Sequence, residues 1–177
     1  MRSPVRRLLF LTALAASVAL AAAATPFAAH HLAGPPWISI EYPANPLDPS
    51  TRGAYLLVHA FHHQIPMESD VSGTAEGLVG SERKSITLRF EKTGRTGVYA
   101  LRKQWGDDGV WSLLISVGQH DMDPAQALVE LGADGSISSV RVPTTRQREW
   151  TIPRRITSQE IEQSLQSRAT RTAQAPR

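Results

Sequence analysis

Residues 106–117 read Gly106-Asp107-Asp108-Gly109-Val110-Trp111-Ser112-Leu113-Leu114-Ile115-Ser116-Val117, and the fold class turns on this stretch. The first four residues are a turn signal, with glycines at both ends and two aspartates between. The eight that follow put Trp111, Leu113, Ile115 and Val117 on one face, the period of two that a half-buried strand requires. Trp111 opens that face directly after the turn and is therefore expected in the core.

Working outward, the same pattern recurs. Upstream, Val98–Trp105 precedes the turn, and Gly94–Gly97 forms the turn before that. Ser85–Phe90 alternates through Ile86, Leu88 and Phe90, and Gly73–Val79 is a weaker, glycine-bearing strand. Ala54–His62 places Tyr55, Leu57, His59 and Phe61 on one face and Leu56, Val58, Ala60 and His62 on the other. Trp37–Tyr42 alternates through Ile38, Ile40 and Tyr42. Downstream, Ala127–Leu131 and Ser136–Val142 flank the turn Gly132-Ala133-Asp134-Gly135. Pro43–Gly53, with three prolines, and Gln64–Ser72 read as loops. Roughly eight short strands separated by turns, with no helical period between residues 37 and 142, give an all-β sandwich or small barrel. A parallel α/β fold is disfavoured because no helix of crossover length lies between strands. Tyr99, Trp105 and Trp111 are the expected core aromatics.

The ends of the chain have a different character. Residues 1–24 carry Arg2, Arg6 and Arg7, then an uninterrupted run of mostly Leu and Ala that ends in small residues. This is the layout of a signal peptide, with cleavage after Ala24 or one residue earlier. A retained N-terminal membrane anchor is the alternative. The 177 residues hold 19 Lys and Arg against 16 Asp and Glu, and those three arginines account for the excess. The remainder is balanced, so the basic pI is no argument for nucleic acid. There is no cysteine, which excludes disulfides, thiol catalysis and cysteine metal sites. Residues 25–36 read as a linker closed by Gly34-Pro35-Pro36, and residues 37–142 as the sandwich.

Residues 143–177 form a basic extension, with seven arginines against Glu149, Glu160 and Glu162. The sandwich segment is net acidic, so the extension is expected to dock on an acidic surface of its own body or a partner, with Trp150 as the apolar anchor. Thr157-Ser158-Gln159-Glu160 has capping-box spacing and opens a short helix with Ile161 and Leu165 as its thin apolar stripe. From Ala169 the composition reads as disorder.

Chemistry-bearing residues are sparse. His59, His62 and His63 are the dense histidine cluster, and His120 and Met122 follow a later strand. If the strand ends meet, His62, His63, Met67, His120 and Met122 converge on a metal, with imidazole plus thioether suiting copper. The competing reading is loop histidines without a ligand. Asp121, Asp123 and Asp134 lack the ligand period of a calcium loop and read as turn caps. Glu68, Asp70 and Glu76 have no spacing that pairs them as acid and base, and no nucleophile elbow or phosphate loop is present.

Gly97-Val98-Tyr99-Ala100-Leu101 and Gly109-Val110-Trp111-Ser112-Leu113-Leu114-Ile115 resemble the paired Gly-x-Tyr and Gly-x-Trp strands of small exported YtkA-like domains, with their CopC-like and FixH-like kin. The resemblance covers roughly residues 37–118. It implies an immunoglobulin-like β-sandwich of about seven or eight strands with a short C-terminal helix or tail, in the periplasm or outside the cell. The function expected is a non-catalytic interaction or accessory domain of the bacterial envelope. Its partner would be an envelope protein or an anionic membrane surface, with no nucleic acid and no cofactor. Copper or other metal carriage is the alternative that the resemblance also implies, and an enzyme is a remote third.

Overall fold

A computed structural model describes residues 34–119 and 122–174. The expected leader over residues 1–24, most of the linker, and His120 lie outside the described residues. Twelve strands, one short 3-10 turn (Pro49–Thr51) and one α-helix are present among those described. One sheet contains β1 (Trp37–Glu41), β2 (Leu56–His62), the short β3 (Ile65–Pro66), β6 (Phe90–Lys92) and β7 (Val98–Leu101). Its order is β1-β2-β7-β6, with β3 also on β2. The second sheet contains β4 (Asp70–Val79), β5 (Glu82–Thr87), β8 (Val110–Gly118), β9 (Ala125–Leu131) and β10 (Ile137–Arg141), in the order β10-β9-β8-β4-β5. Every pairing is antiparallel, and the two sheets face each other as a β-sandwich.

The core between the sheets is built from the inward faces that the alternation marks. Trp111, Leu113, Ile115 and Val117 of β8 meet Leu56, Val58 and Ala60 of β2, with Tyr99, Leu101 and Trp105 closing the cluster. Trp111 is 5% exposed, and its indole N–H donates to the Asp108 carbonyl at 2.7 Å, so the turn before β8 also seats the ring. Gly97 and Gly109, the motif glycines, have φ of +70° and +81°. A Cβ at Gly97 would meet the Ala60 carbonyl at 2.6 Å, and one at Gly109 the Leu78 carbonyl at 2.6 Å. Both positions therefore need glycine for conformation and for space.

Four features depart from the sequence reading. Gln64–Ser72 is not all loop: it holds β3 and the first residues of β4, because β2 turns tightly at His63-Gln64. Ser85–Phe90 is not one strand: the chain leaves the second sheet after Thr87 and joins the first at Phe90. Leu88 is buried at the crossing, so its alternation comes from packing between sheets. Residues 144–153 form a hairpin, β11 (Thr144–Gln147) and β12 (Trp150–Pro153), bonded to neither sheet. The helix α1 (Ser158–Gln174) runs beyond Ala169, where composition alone suggests disorder.

That helix is held by docking. The capping box closes in both directions: the Glu160 amide donates to Thr157 Oγ1 at 3.2 Å, and the Thr157 amide to Glu160 Oε2 at 3.0 Å. Arg154 adds a bidentate pair to the same carboxylate at 2.9 Å on each arm, which with the Thr157 amide lowers the Glu160 pKa to about 2. Ile161 and Leu165 pack on Leu78 and Leu128, covering the outer face of the second sheet. The extension thus docks on its own body, but through α1. Trp150, the expected anchor, is 67% exposed.

Candidate functional site

A groove of about 770 Å³ lies beside the end of β1 and β2 and the β11–β12 hairpin. Its size falls in the range of ordinary ligand clefts. Trp37, Phe61, Trp150 and Ile152 supply apolar surface, and His63, Gln64, Gln147 and Thr151 supply polar groups.

Each wall has a local cause. His62 pairs with Ile65 across the two-residue turn His63-Gln64, which makes β2 and β3 a tight hairpin. Both turn residues have positive φ, +47° and +67°, the geometry that such a turn demands and glycine or asparagine normally supplies. On the other wall Gln147 pairs with Trp150 across Arg148-Glu149, and Arg148 has φ +55°. These are all the non-glycine residues of positive φ among those described, and they sit in the two turns flanking one groove. The hairpin is fixed at its base: the Arg154 amide donates to the Pro143 carbonyl at 3.0 Å, and the Ile156 amide to Gln126 Oε1 at 2.7 Å. Arg155 also pairs with Asp123 at 3.0 Å.

His62 is 1% exposed, and its Nε2–H donates to the Gly34 carbonyl at 2.9 Å. A carbonyl only accepts, so Nε2 carries a proton, while Nδ1 is buried and has no partner among the described residues. The His63 ring meets His62 edge-on, with centroids 4.3 Å apart. Of the expected metal residues, His62, His63 and Met122 therefore line one groove, while Met67 does not. His120 lies outside the described residues. No three His, Cys, Asp or Glu side chains gather as a metal cluster among those described.

The other sequence candidates disperse. His59 pairs with Glu41 at 2.8 Å across β1 and β2. Glu68 pairs with Lys92, whose ammonium holds its carboxyl below the usual range, while Glu76 faces Arg83 and Ser85 in the other sheet. Asp134 caps its turn by accepting from Ser136. Asp123 is the one carboxylate on the groove among the described residues, and Arg155 holds it.

Of the residues that sequence reasoning named for a metal, His62, His63 and Met122 line the groove, while its walls were not named. Trp150 and Ile152 were legible as an alternating pair, yet the arginines around them favour a tail reading. No family model, no curated protein and no solved structure matches this chain. No helix among the described residues is long and apolar enough to cross a membrane.

Proposed function

We propose that this chain is an exported, non-catalytic binding domain of the bacterial cell envelope, and that the groove beside the β11–β12 hairpin is its ligand site. One observation carries the reading: among the described residues, non-glycine positive φ occurs only in the two turns that flank a groove lined by Trp37, Phe61 and Trp150. Such strain costs about 1–3 kcal/mol per residue, and it clusters at active sites and ligand clamps. Trp150 is 67% exposed, Trp37 and Phe61 are partly exposed, and none of the three rings stacks on another aromatic among the described residues, which supports their offering surface to a ligand. The groove's titratable groups are His62, His63 and the Arg155-bound Asp123, which supports binding over acid–base chemistry. The leader pattern of residues 1–24 supports export, and an envelope protein fits the groove better than an anionic membrane surface because no arginine lines it.

The test is site-specific photo-crosslinking in cells, with the photoreactive group at position 150 and a control at exposed Leu47. A discrete adduct from position 150 alone supports the reading, and identical patterns from both positions defeat it. N-terminal sequencing of the exported protein should begin at Thr25 or Ala24.

Copper carriage is the second reading. It is favoured by the contact of His62 with His63 and by Met122 on the same groove, an imidazole and thioether set that suits Cu(I). Metal titration of the purified protein, with H63A and M122A as comparisons, tests it.

A further inference from the structure

We infer that the groove takes an extended, uncharged peptide with alternating apolar side chains, added as a strand to the free edge of β12. This rests on the binding role proposed above and names the ligand's class and its mode of attachment.

The first observation is which residues line the groove. Trp150, Thr151, Ile152 and Pro153 all do so, although successive residues of a strand point to opposite faces. A surface that touches four consecutive strand residues runs along the strand's edge. From β11 only Gln147, beside the turn, reaches the groove. The exposed edge is thus the one away from β11, and β12 pairs with no other strand.

The second is what that edge offers. In an antiparallel ladder, residue pairs that exchange backbone hydrogen bonds alternate with pairs that do not. Gln147 and Trp150 close the two-residue turn and form a bonded pair, as do Thr145 and Ile152. Thr151, opposite Arg146, therefore directs its N–H and C=O outward, away from β11. A paired backbone donor and acceptor on an unpartnered edge is the template for strand addition. Pro153 supplies only a carbonyl and ends the donor row, so the docked strand is short.

The third is charge. No lysine or arginine among the described residues lines the groove, and Asp123 pairs with Arg155 at 3.0 Å. An anionic headgroup or a charged peptide would be desolvated there without a counter-ion. Trp150 and Ile152 share one face of β12, so alternate residues of an added strand pack against them as cross-strand neighbours. Gln64 and Thr151, whose side chains make no hydrogen bond among the described residues, are available to bond the peptide.

The experiment uses the mature full chain and a library of capped, uncharged heptapeptides, with Val, Ile, Leu and Phe randomised at alternate positions and Ser or Thr between. Binding is followed by tryptophan fluorescence, and Thr151 amide exchange by NMR. Selected peptides should slow exchange at Thr151 by at least about tenfold. Trp150→Ala should weaken binding at least about tenfold. Thr151→Pro, which removes the outward N–H, should abolish it; N-methylating the peptide amide that faces Thr151 does the same without altering the protein. Peptide binding with unchanged Thr151 exchange overturns strand addition. Binding of tetra-N-acetylchitotetraose in place of any peptide overturns the ligand class while the groove reading stands. No binding by either probe, with a position-150 crosslink still formed in cells, overturns the inference alone; loss of that crosslink as well overturns both.

Discussion

Replacing Arg168 by methionine tests what holds α1 on the sandwich. Arg168 is 7% exposed, on the helix face turned to the second sheet. Its Nη1 donates to the Trp111 carbonyl and to the Leu131 carbonyl, each at 2.8 Å. Its Nη2 reaches Ser112 Oγ and Ser164 Oγ, and Nε donates to the Ser164 carbonyl at 3.1 Å. The β8–β9 ladder ends at the pair Ser112 and Glu130, so Trp111 and Leu131 lie just beyond its last rung. The guanidinium bonds both carbonyls at that opening. Methionine keeps the stem's packing but strands two buried acceptors, each costing about 1–3 kcal/mol. Removing the cation also relieves its desolvation, which already depresses the Arg168 pKa. The net expected loss is about 2–3 kcal/mol, at the low end of the two penalties combined. Urea unfolding at constant m measures it, and hydrogen exchange should show helix amides losing protection before those of β8. Lysine should not rescue, because one ammonium cannot span both carbonyls and both hydroxyls. An R168M protein within about 0.5 kcal/mol of wild type, with helix amides equally protected, would refute the reasoning.

Trp111→Ala should cost about 3–5 kcal/mol in the same assay. Gly77→Ala should cost about 1–3 kcal/mol, since its Cβ would lie 2.6 Å from the Trp111 ring. Glu160 has its pKa lowered from 4.5 to about 2, so its contribution to stability is complete above pH 4.5 and is lost as pH falls toward 2. E160Q should flatten stability in that window, and salt should shrink the wild-type slope because the pair is partly exposed. Trp150→Ala should change stability by less than about 0.5 kcal/mol, because the ring is 67% exposed, so any loss of binding in that variant is a property of the groove. Gln64→Gly relieves a positive φ and should raise stability by about 1 kcal/mol while weakening ligand capture; a destabilised Q64G would place the turn's value in folding.

The sandwich was legible because its inner faces obey period two without interruption. Trp111, Leu113, Ile115 and Val117 are all buried in the phase that the pattern sets. The outer faces were harder. Ser112 and Leu128 are fully buried, yet a serine in an outward position reads as solvent-facing. The helix covering them was half legible: the capping box fixes its start, and Ile161 and Leu165 mark its stripe. The next positions on that stripe are Arg168 and Ala169, and an arginine there reads as the start of a solvated tail. Only the carbonyls at the end of the β8–β9 ladder give it a place inside, and those belong to the tertiary fold.

The groove was illegible for a more specific reason, and the same reason bears on its use. Tight hairpins announce themselves through glycine or asparagine in the turn, because those residues enter positive φ cheaply. His63-Gln64 and Arg148-Glu149 give no such signal, so residues 63–66 and 144–153 read as loop and tail. Folding stability alone would favour Asn-Gly at both turns. The chain instead carries side chains there that cost energy in this backbone, and His63 and Gln64 themselves line the cleft. Local sequence and global fold agree through most of the sandwich and conflict at these two turns. At the first turn the strained side chains of His63 and Gln64 meet the cleft, whereas Arg148 of the second turn does not, so it is at His63-Gln64 that the proposed ligand, rather than folding, accounts for the conflict.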